Sequence, residues 1–175
     1  MILLKNSYIH PEKRIFIVLT VVSLLFFTNR VNAQEDPPRP VEITPTSQEL
    51  SFGSFTYAVS VGYVTVTPSG GRSASGSGVI LLNIGTPTAA LFNVVCNAGT
   101  LISITFGADA TLTGSPGGTM TLHIDTSDPE SPFTTTNDYP DPTLLYIGGT
   151  LTVGNSSTSP PGTYTGSFDI TLNQD

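Results

Sequence analysis

The sequence predicts an all-β domain, a two-sheet β-sandwich of about nine strands, on two observations. After residue 40, no window carries apolar residues at i, i+3, i+4 and i+7 over three turns, which is the pattern of an amphipathic helix. All 17 glycines and all but one of the 14 prolines follow residue 33, where they separate short runs rich in Val, Ile, Thr, Phe and Tyr. Such punctuation at intervals of about 8–12 residues is typical of sandwiches and barrels.

The predicted strands either alternate apolar with polar residues or are apolar throughout. In residues 101–106, for example, Ile102, Ile104 and Phe106 are expected on the opposite face from Ser103 and Thr105. A long polar loop is predicted over residues 126–142, and Gly148-Gly149 is predicted to separate two strands. The candidate runs, from which about nine strands are expected, are 41–44, 50–57, 62–67, 78–84, 92–97, 101–106, 111–113, 120–125, 144–147, 150–153 and 163–172.

The N-terminus has the pattern of a secretory signal peptide. A basic leader, with Lys5, Lys13 and Arg14 beside His10, precedes an apolar run over residues 15–27. That run is shorter than the roughly 20 residues of a membrane span, so cleavage is favoured over an uncleaved anchor. We predict a signal peptide over residues 1–33, a Pro-rich lead-in over 34–40 and one β-sandwich domain over 41–175.

Charge changes sharply after residue 33. Residues 34–175 hold two basic and twelve acidic residues, a formal net charge of −10, and contain no Lys. Nucleic-acid partners are excluded because binding relies on neutralising phosphates with Lys and Arg. Docking on anionic lipid is disfavoured for the same reason, and no stable membrane insertion is expected after signal removal.

Few residues suit catalysis, and we expect a non-enzymatic protein without a cofactor. His123 is the one His after residue 33, and it is expected to face solvent or bond locally, because no second His or Cys stands at metal-ligand spacing. A Ser-His-Asp arrangement stays open, although no Gly-x-Ser-x-Gly sequence leads into a helix. Cys96, the lone cysteine, is expected to be a buried thiol, with a cross-link between two chains as the alternative.

One acidic group on or near the long loop is a candidate metal site. Its oxygens suit Ca²⁺, which takes six to eight oxygen ligands, although the spacing matches no EF-hand and prolines interrupt it. The alternatives are a solvated acidic loop and a glycosidase-like carboxylate pair. The group consists of Asp125, Asp128, Glu130, Asp138 and Asp141.

Several tyrosines are candidates for a binding patch, since Tyr is common at interfaces and equally common on strands for packing reasons. Tyr139, in the long loop, is the best exposed candidate, whereas Tyr164 is expected to be a core residue near a sheet corner. The others are Tyr57, Tyr63 and Tyr146.

Five stretches, taken in order over residues 41–172, resemble an uncharacterised family of exported bacterial β-sandwich domains that is similar to the major subunits of Mat/Ecp-type common pili. They are Leu50-Ser51-Phe52-Gly53, Ser69-Gly70-Gly71-Arg72-Ser73, Phe92-Asn93-Val94 with Gly99, residues 147–153 (IGGTLTV) and residues 162–172 (GTYTGSFDITL). The resemblance implies an immunoglobulin-like sandwich, export to the surface of a Gram-negative-type bacterium or its periplasm, and a role in fimbria-like structures or adhesion. Its implied partners are other copies of the chain or related surface subunits.

Common-pilus subunits polymerise by lending an N-terminal strand to a neighbour. Residues 34–40 are acidic and Pro-rich, and a proline has no N–H to donate to a ladder, so they are poorly suited to that role. We expect an exported, non-catalytic structural or adhesive surface protein, a fimbria-like subunit. The alternative is a secreted module that binds Ca²⁺ or a glycan.

Overall fold

The computed structural model describes residues 39–57 and 60–175. The predicted signal peptide and residues 34–38 of the lead-in lie outside the described residues. Every regular element in the described part is a strand, so the all-β prediction is confirmed. The thirteen strands are β1 Glu42–Pro45, β2 Phe55–Tyr57, β3 Gly62–Val66, β4 Arg72–Ser75, β5 Val79–Leu81, β6 Ala90–Val95, β7 Leu101–Phe106, β8 Ala110–Gly114, β9 Thr119–Asp128, β10 Phe133–Thr134, β11 Thr143–Val153, β12 Tyr164–Thr165 and β13 Ile170–Gln174. Over these same ranges, no helix is long and apolar enough to cross a membrane.

The longest strand, β11, organises an eight-stranded antiparallel sheet. On one side β11 pairs with β9, and β9 pairs in turn with β8, which pairs with β12. On the other side the first half of β11 pairs with β6 and the second half pairs with β3. Outside these lie β1, on β6, and β4, on β3.

A second layer consists of a three-stranded sheet, β10-β7-β13, and a two-stranded sheet, β2-β5. One apolar core joins the sheets, as expected when strands bury alternate residues. The large sheet supplies most of its fully buried members, including Val64, Leu145 and Ile147, and β7 supplies Ile102. Cys96 is buried too, as predicted, and its thiol is free.

Gly148 and Gly149 do not separate two strands, as the sequence predicts; they lie inside β11 at a bulge in its pairing with β9. Their role is close packing rather than a turn. A Cβ on Gly148 would lie 2.5 Å from the carbonyl oxygen of Val66, and one on Gly149 would lie 2.7 Å from Cδ1 of Ile124. Only a residue without a side chain lets neighbouring strands approach β11 this closely.

The predicted strand over residues 163–172 is two strands in different sheets, since β12 pairs with β8 and β13 pairs with β7. Tyr164 fixes the corner between them. Its ring packs against Gly114, and its hydroxyl donates a hydrogen bond to the carbonyl of Pro160 over 2.6 Å. This tyrosine corner, a feature found in other sandwiches, agrees with the predicted place of Tyr164 near a sheet corner, where it is half-buried against the core.

Two further differences between the predicted and the observed strands occur where the sequence signal is weak. Residues 72–75 carry no strand signal in the sequence, and β4, which they form, is polar and mostly exposed. The predicted loop over 126–142 is also shorter, because β9 continues to Asp128 and β10 interrupts the loop at Phe133–Thr134. β10 pairs with β7, which is distant in sequence, and β4 pairs with the preceding strand β3, so each is held by its partner rather than by a local apolar pattern.

Arg72 ties β4 to the second layer. It faces inward, because its register partner on β3 is the buried Val66. Its guanidinium donates hydrogen bonds to the carbonyls of Phe52 over 2.9 Å, Ser54 over 3.2 Å and Leu82 over 2.8 Å. Five N–H donors in a fixed fork suit Arg to bridge several carbonyls at once.

Candidate functional site

The five carboxylates predicted as a Ca²⁺ site are divided between β9 and the segments that follow it. Asp125 lies on β9, as predicted, and β9 also includes Asp128, which the sequence places in the loop; Glu130 follows β9 as an exposed residue. Asp138 accepts a hydrogen bond from the backbone N–H of Ala98 over 3.0 Å. Across residues 39–57 and 60–175, no three His, Cys, Asp or Glu side chains form a group that could hold a metal ion. Calcium binding therefore stays a prediction without a preformed site in the described residues.

A surface cluster instead forms around His123. Its Nδ1 lies 2.6 Å from Oδ1 of Asp109, and its Nε2 lies 3.8 Å from Oδ2 of Asp125. The hydrogen bond to Asp109 raises the pKa of His123. Burial lowers this pKa in part, and the negative charges of Asp109 and then Asp125 raise it further. The side chain of His123 is 56% exposed, so the prediction of a solvent-facing, locally bonded histidine is confirmed.

Asp109 has no signal in the sequence, because it stands alone before β8, and only the β8–β9 pairing brings it to His123. A His–Asp pair is also part of a nucleophilic triad. Among residues 39–57 and 60–175, the His123 side chain hydrogen-bonds to Asp109 alone, and no serine hydroxyl bonds to the ring.

Tyr139 is exposed, as predicted, but one face of its ring is covered. The guanidinium carbon of Arg39 lies 4.1 Å from the ring centroid, a cation–π contact. Three other tyrosines have described side chains. Tyr63 is the most exposed of them, at 42%, whereas Tyr146 and Tyr164 are half-buried. Tyr63 is thus the better platform for a flat ligand.

A free sheet edge is the last candidate. In the described part of the chain β13 pairs only with β7. The N–H of Asp175 donates to the carbonyl of Leu101, and the carbonyl of Asp169 accepts from Gly107, so odd-numbered residues bond toward β7. Because successive residues of a strand point their backbone groups to opposite sides, the N–H and C=O groups of Leu172 and Gln174 point away from β7.

Apolar side chains beside this edge are incompletely covered. Phe168, Ile170 and Leu172 pack on the core but stay half-buried, and so do Ile104 and Phe106 of the neighbouring β7. The inward residues of β11, in the opposite layer, are fully buried. A strand added at β13 has room to cover apolar surface as well as to satisfy backbone groups.

Fold and site define this class of protein as an all-β sandwich domain with an open sheet edge. The chain belongs to a family described as a domain of unknown function, DUF4402, whose model matches residues 41–174. That match covers nearly the whole of the predicted domain over 41–175. No curated protein and no solved structure matches the chain.

Proposed function

We propose that this protein is an exported, non-catalytic structural or adhesive component of a bacterial cell surface and assembles as a fimbria-like subunit. The signal-like N-terminus supports export, and the free edge of β13 beside half-buried apolar side chains is the observation that supports assembly. The neighbour in the assembly is another copy of the chain or a related surface subunit.

The edge of β13 suits addition of a strand. Addition supplies main-chain hydrogen bonds for affinity, while side-chain pockets supply specificity. Sandwiches commonly protect such an edge with lysines, prolines or bulges, and β13 has the sequence Ile-Thr-Leu-Asn-Gln, with none of the protecting residues. Its pairing with β7 runs without a bulge over all five residues.

A proline at position 174 tests this edge with little disturbance of the fold. The N–H of Gln174 points away from β7, so Gln174→Pro removes a donor from the free edge and leaves the β7 ladder intact. Gln174→Ala is the matched control, because it removes the same exposed side chain and keeps the N–H.

The exported protein and both variants are compared by size-exclusion chromatography with light scattering at several concentrations, and by negative-stain microscopy. We expect concentration-dependent oligomers or filaments for the wild type and Gln174→Ala, and their loss in Gln174→Pro. A monomer at every concentration, or assembly that Gln174→Pro leaves unchanged, contradicts assembly through β13. Immunolabelling of intact cells tests surface exposure separately.

A further inference from the structure

The outer face of the large sheet carries side-chain hydroxyls in register. Register partners share a face in antiparallel pairs, so the pairings define a row that crosses β4, β3, β11, β9 and β8. In that order the row, called row A below, is Ser75, Tyr63, Thr152, Thr121 and Thr111. Each of the five residues bears a hydroxyl, and the residues between them along the strands, such as Val64 and Leu151, are buried in the core.

A second row lies beside row A, two residues along each strand. It consists of Ser73, Thr65, Thr150 and His123. Here the hydroxyls of Thr65 and Thr150 bond to each other over 3.0 Å, whereas the hydroxyls of row A have no hydrogen-bond partner in the described part of the chain. Row A thus presents free donors and acceptors, and four of its five residues are exposed.

Neither row contains an Asp, Glu, Lys or Arg, although residues 34–175 carry twelve acids, and the acids beside the rows, Asp109 and Asp125, both lie against His123. The high strand propensity of Thr explains why Thr occurs at outward positions. Propensity does not explain why a hydroxyl recurs on five adjacent strands in one register, since Val, Ile and Phe serve a strand equally well. Row A itself is uncharged, so the partner that suits it is neutral and rich in hydroxyls.

We infer that row A binds a neutral polysaccharide chain that lies across the strands. Adjacent strands are about 4.8 Å apart, a step comparable to the length that one hexose adds to an extended polysaccharide. A repeating ligand can thus meet one hydroxyl per sugar, and many weak contacts add up to useful avidity. Tyr63, 42% exposed, offers a ring face on which a sugar can stack.

Two other occupants fit the face less well. Adjacent strands rotate by about 20–25°, so a rigid planar surface touches only a few strands, whereas a flexible chain can follow the twist. A second copy of the protein gains little from this face, because hydroxyl rows offer little apolar area to bury. The inference names the partner of the proposed adhesive surface protein and rests on that proposal for its biological setting.

Affinity electrophoresis of the exported protein in native gels tests this face. The gels contain mixed-linkage β-glucan, hydroxyethylcellulose or galactomannan as neutral probes, and alginate as the anionic control. The test variant is Thr121→Val/Thr152→Val, which removes two hydroxyls of row A and keeps the β-branched shape. The matched control is Thr105→Val/Thr171→Val, a register pair of exposed threonines on the outer face of the β7–β13 sheet.

We expect at least one neutral probe to retard the wild type and the control pair, and alginate to retard neither. Loss of two hydrogen bonds weakens binding by the test variant about ten-fold, with an unchanged melting curve. The inference is overturned if no neutral probe retards the wild type, if both double variants lose binding equally, or if the test variant instead abolishes self-association. Immunolabelling separates this failure from that of the proposed function, since a surface-exposed protein that no probe retards contradicts only the inference.

Discussion

Replacement of Arg72 by Met tests how the second layer is attached to the large sheet. The substitution keeps the aliphatic stem and removes the three hydrogen bonds to Phe52, Ser54 and Leu82. A hydrogen bond from a charged donor contributes about 1.5–3 kcal/mol. Arg72 is half-buried, so water replaces part of that contribution, and the three bonds share one side chain. We therefore expect a loss of about 3 kcal/mol in the free energy of unfolding, or roughly 10 °C in Tm.

Urea unfolding, with linear extrapolation, measures the loss. Arg72→Lys should recover at most half of the stability, because one ammonium cannot reproduce a fork that uses two separate nitrogens. Arg39→Met is the matched control, and loss of its contact with Tyr139 should cost only about 0.5–1 kcal/mol. A loss below about 1 kcal/mol for Arg72→Met, or full stability in Arg72→Lys, refutes this role.

Three further predictions concern the hydroxyl of Tyr164, the His123–Asp109 pair and calcium binding. Tyr164→Phe removes the corner hydrogen bond alone and should lower the free energy of unfolding by about 1 kcal/mol in the same urea assay; no change would show that the hydroxyl is dispensable. An NMR titration of His123 should give a midpoint above the ordinary value of about 6.5, and Asp109→Asn should lower it; equal midpoints would contradict the contact. Because the pKa of His123 is raised in the folded protein, protonated His123 stabilises the fold. This contribution to the free energy of unfolding is complete below about pH 6.5 and is lost as the pH rises through the folded pKa. It stays under about 1 kcal/mol at this exposed site. Calcium should leave Tm unchanged, because the described carboxylates form no metal-binding group. A bound ion at 100 times its Kd would add about 2.7 kcal/mol to the free energy of unfolding. A rise in Tm that Asp128→Asn or Asp138→Asn abolishes would restore the calcium hypothesis.

Local patterns predicted the all-β class and most strands because alternation of apolar and polar residues is a local property. Residues 101–106 and 120–125 both fall within observed strands. The prediction that Gly148-Gly149 separates two strands was wrong, because a glycine that permits close approach and a glycine that permits a turn look the same in the sequence. Likewise, residues 163–172 alternate without interruption, so the sequence does not show that the chain leaves one sheet after β12 and enters the other at β13.

The candidate sites were harder to predict because they depend on strand order. Repeated Thr-x-Thr sequences such as Thr119–Thr121 and Thr150–Thr152 are visible in the chain, but their alignment follows only from the β9–β11 register. The pairing of Asp109 with His123 and the free edge of β13 likewise appear only once the strands are placed.

Hydrogen exchange at β13 tests the central claim, assembly through this edge, most directly. Amide exchange is measured by mass spectrometry or NMR on the monomer and on the assembled protein. In the monomer we expect fast exchange at Leu172 and Gln174, whose N–H groups point away from β7, and slow exchange at Thr171 and Asn173. Assembly should slow exchange at Leu172 and Gln174, whereas assembly that leaves those two amides unprotected would contradict pairing at β13.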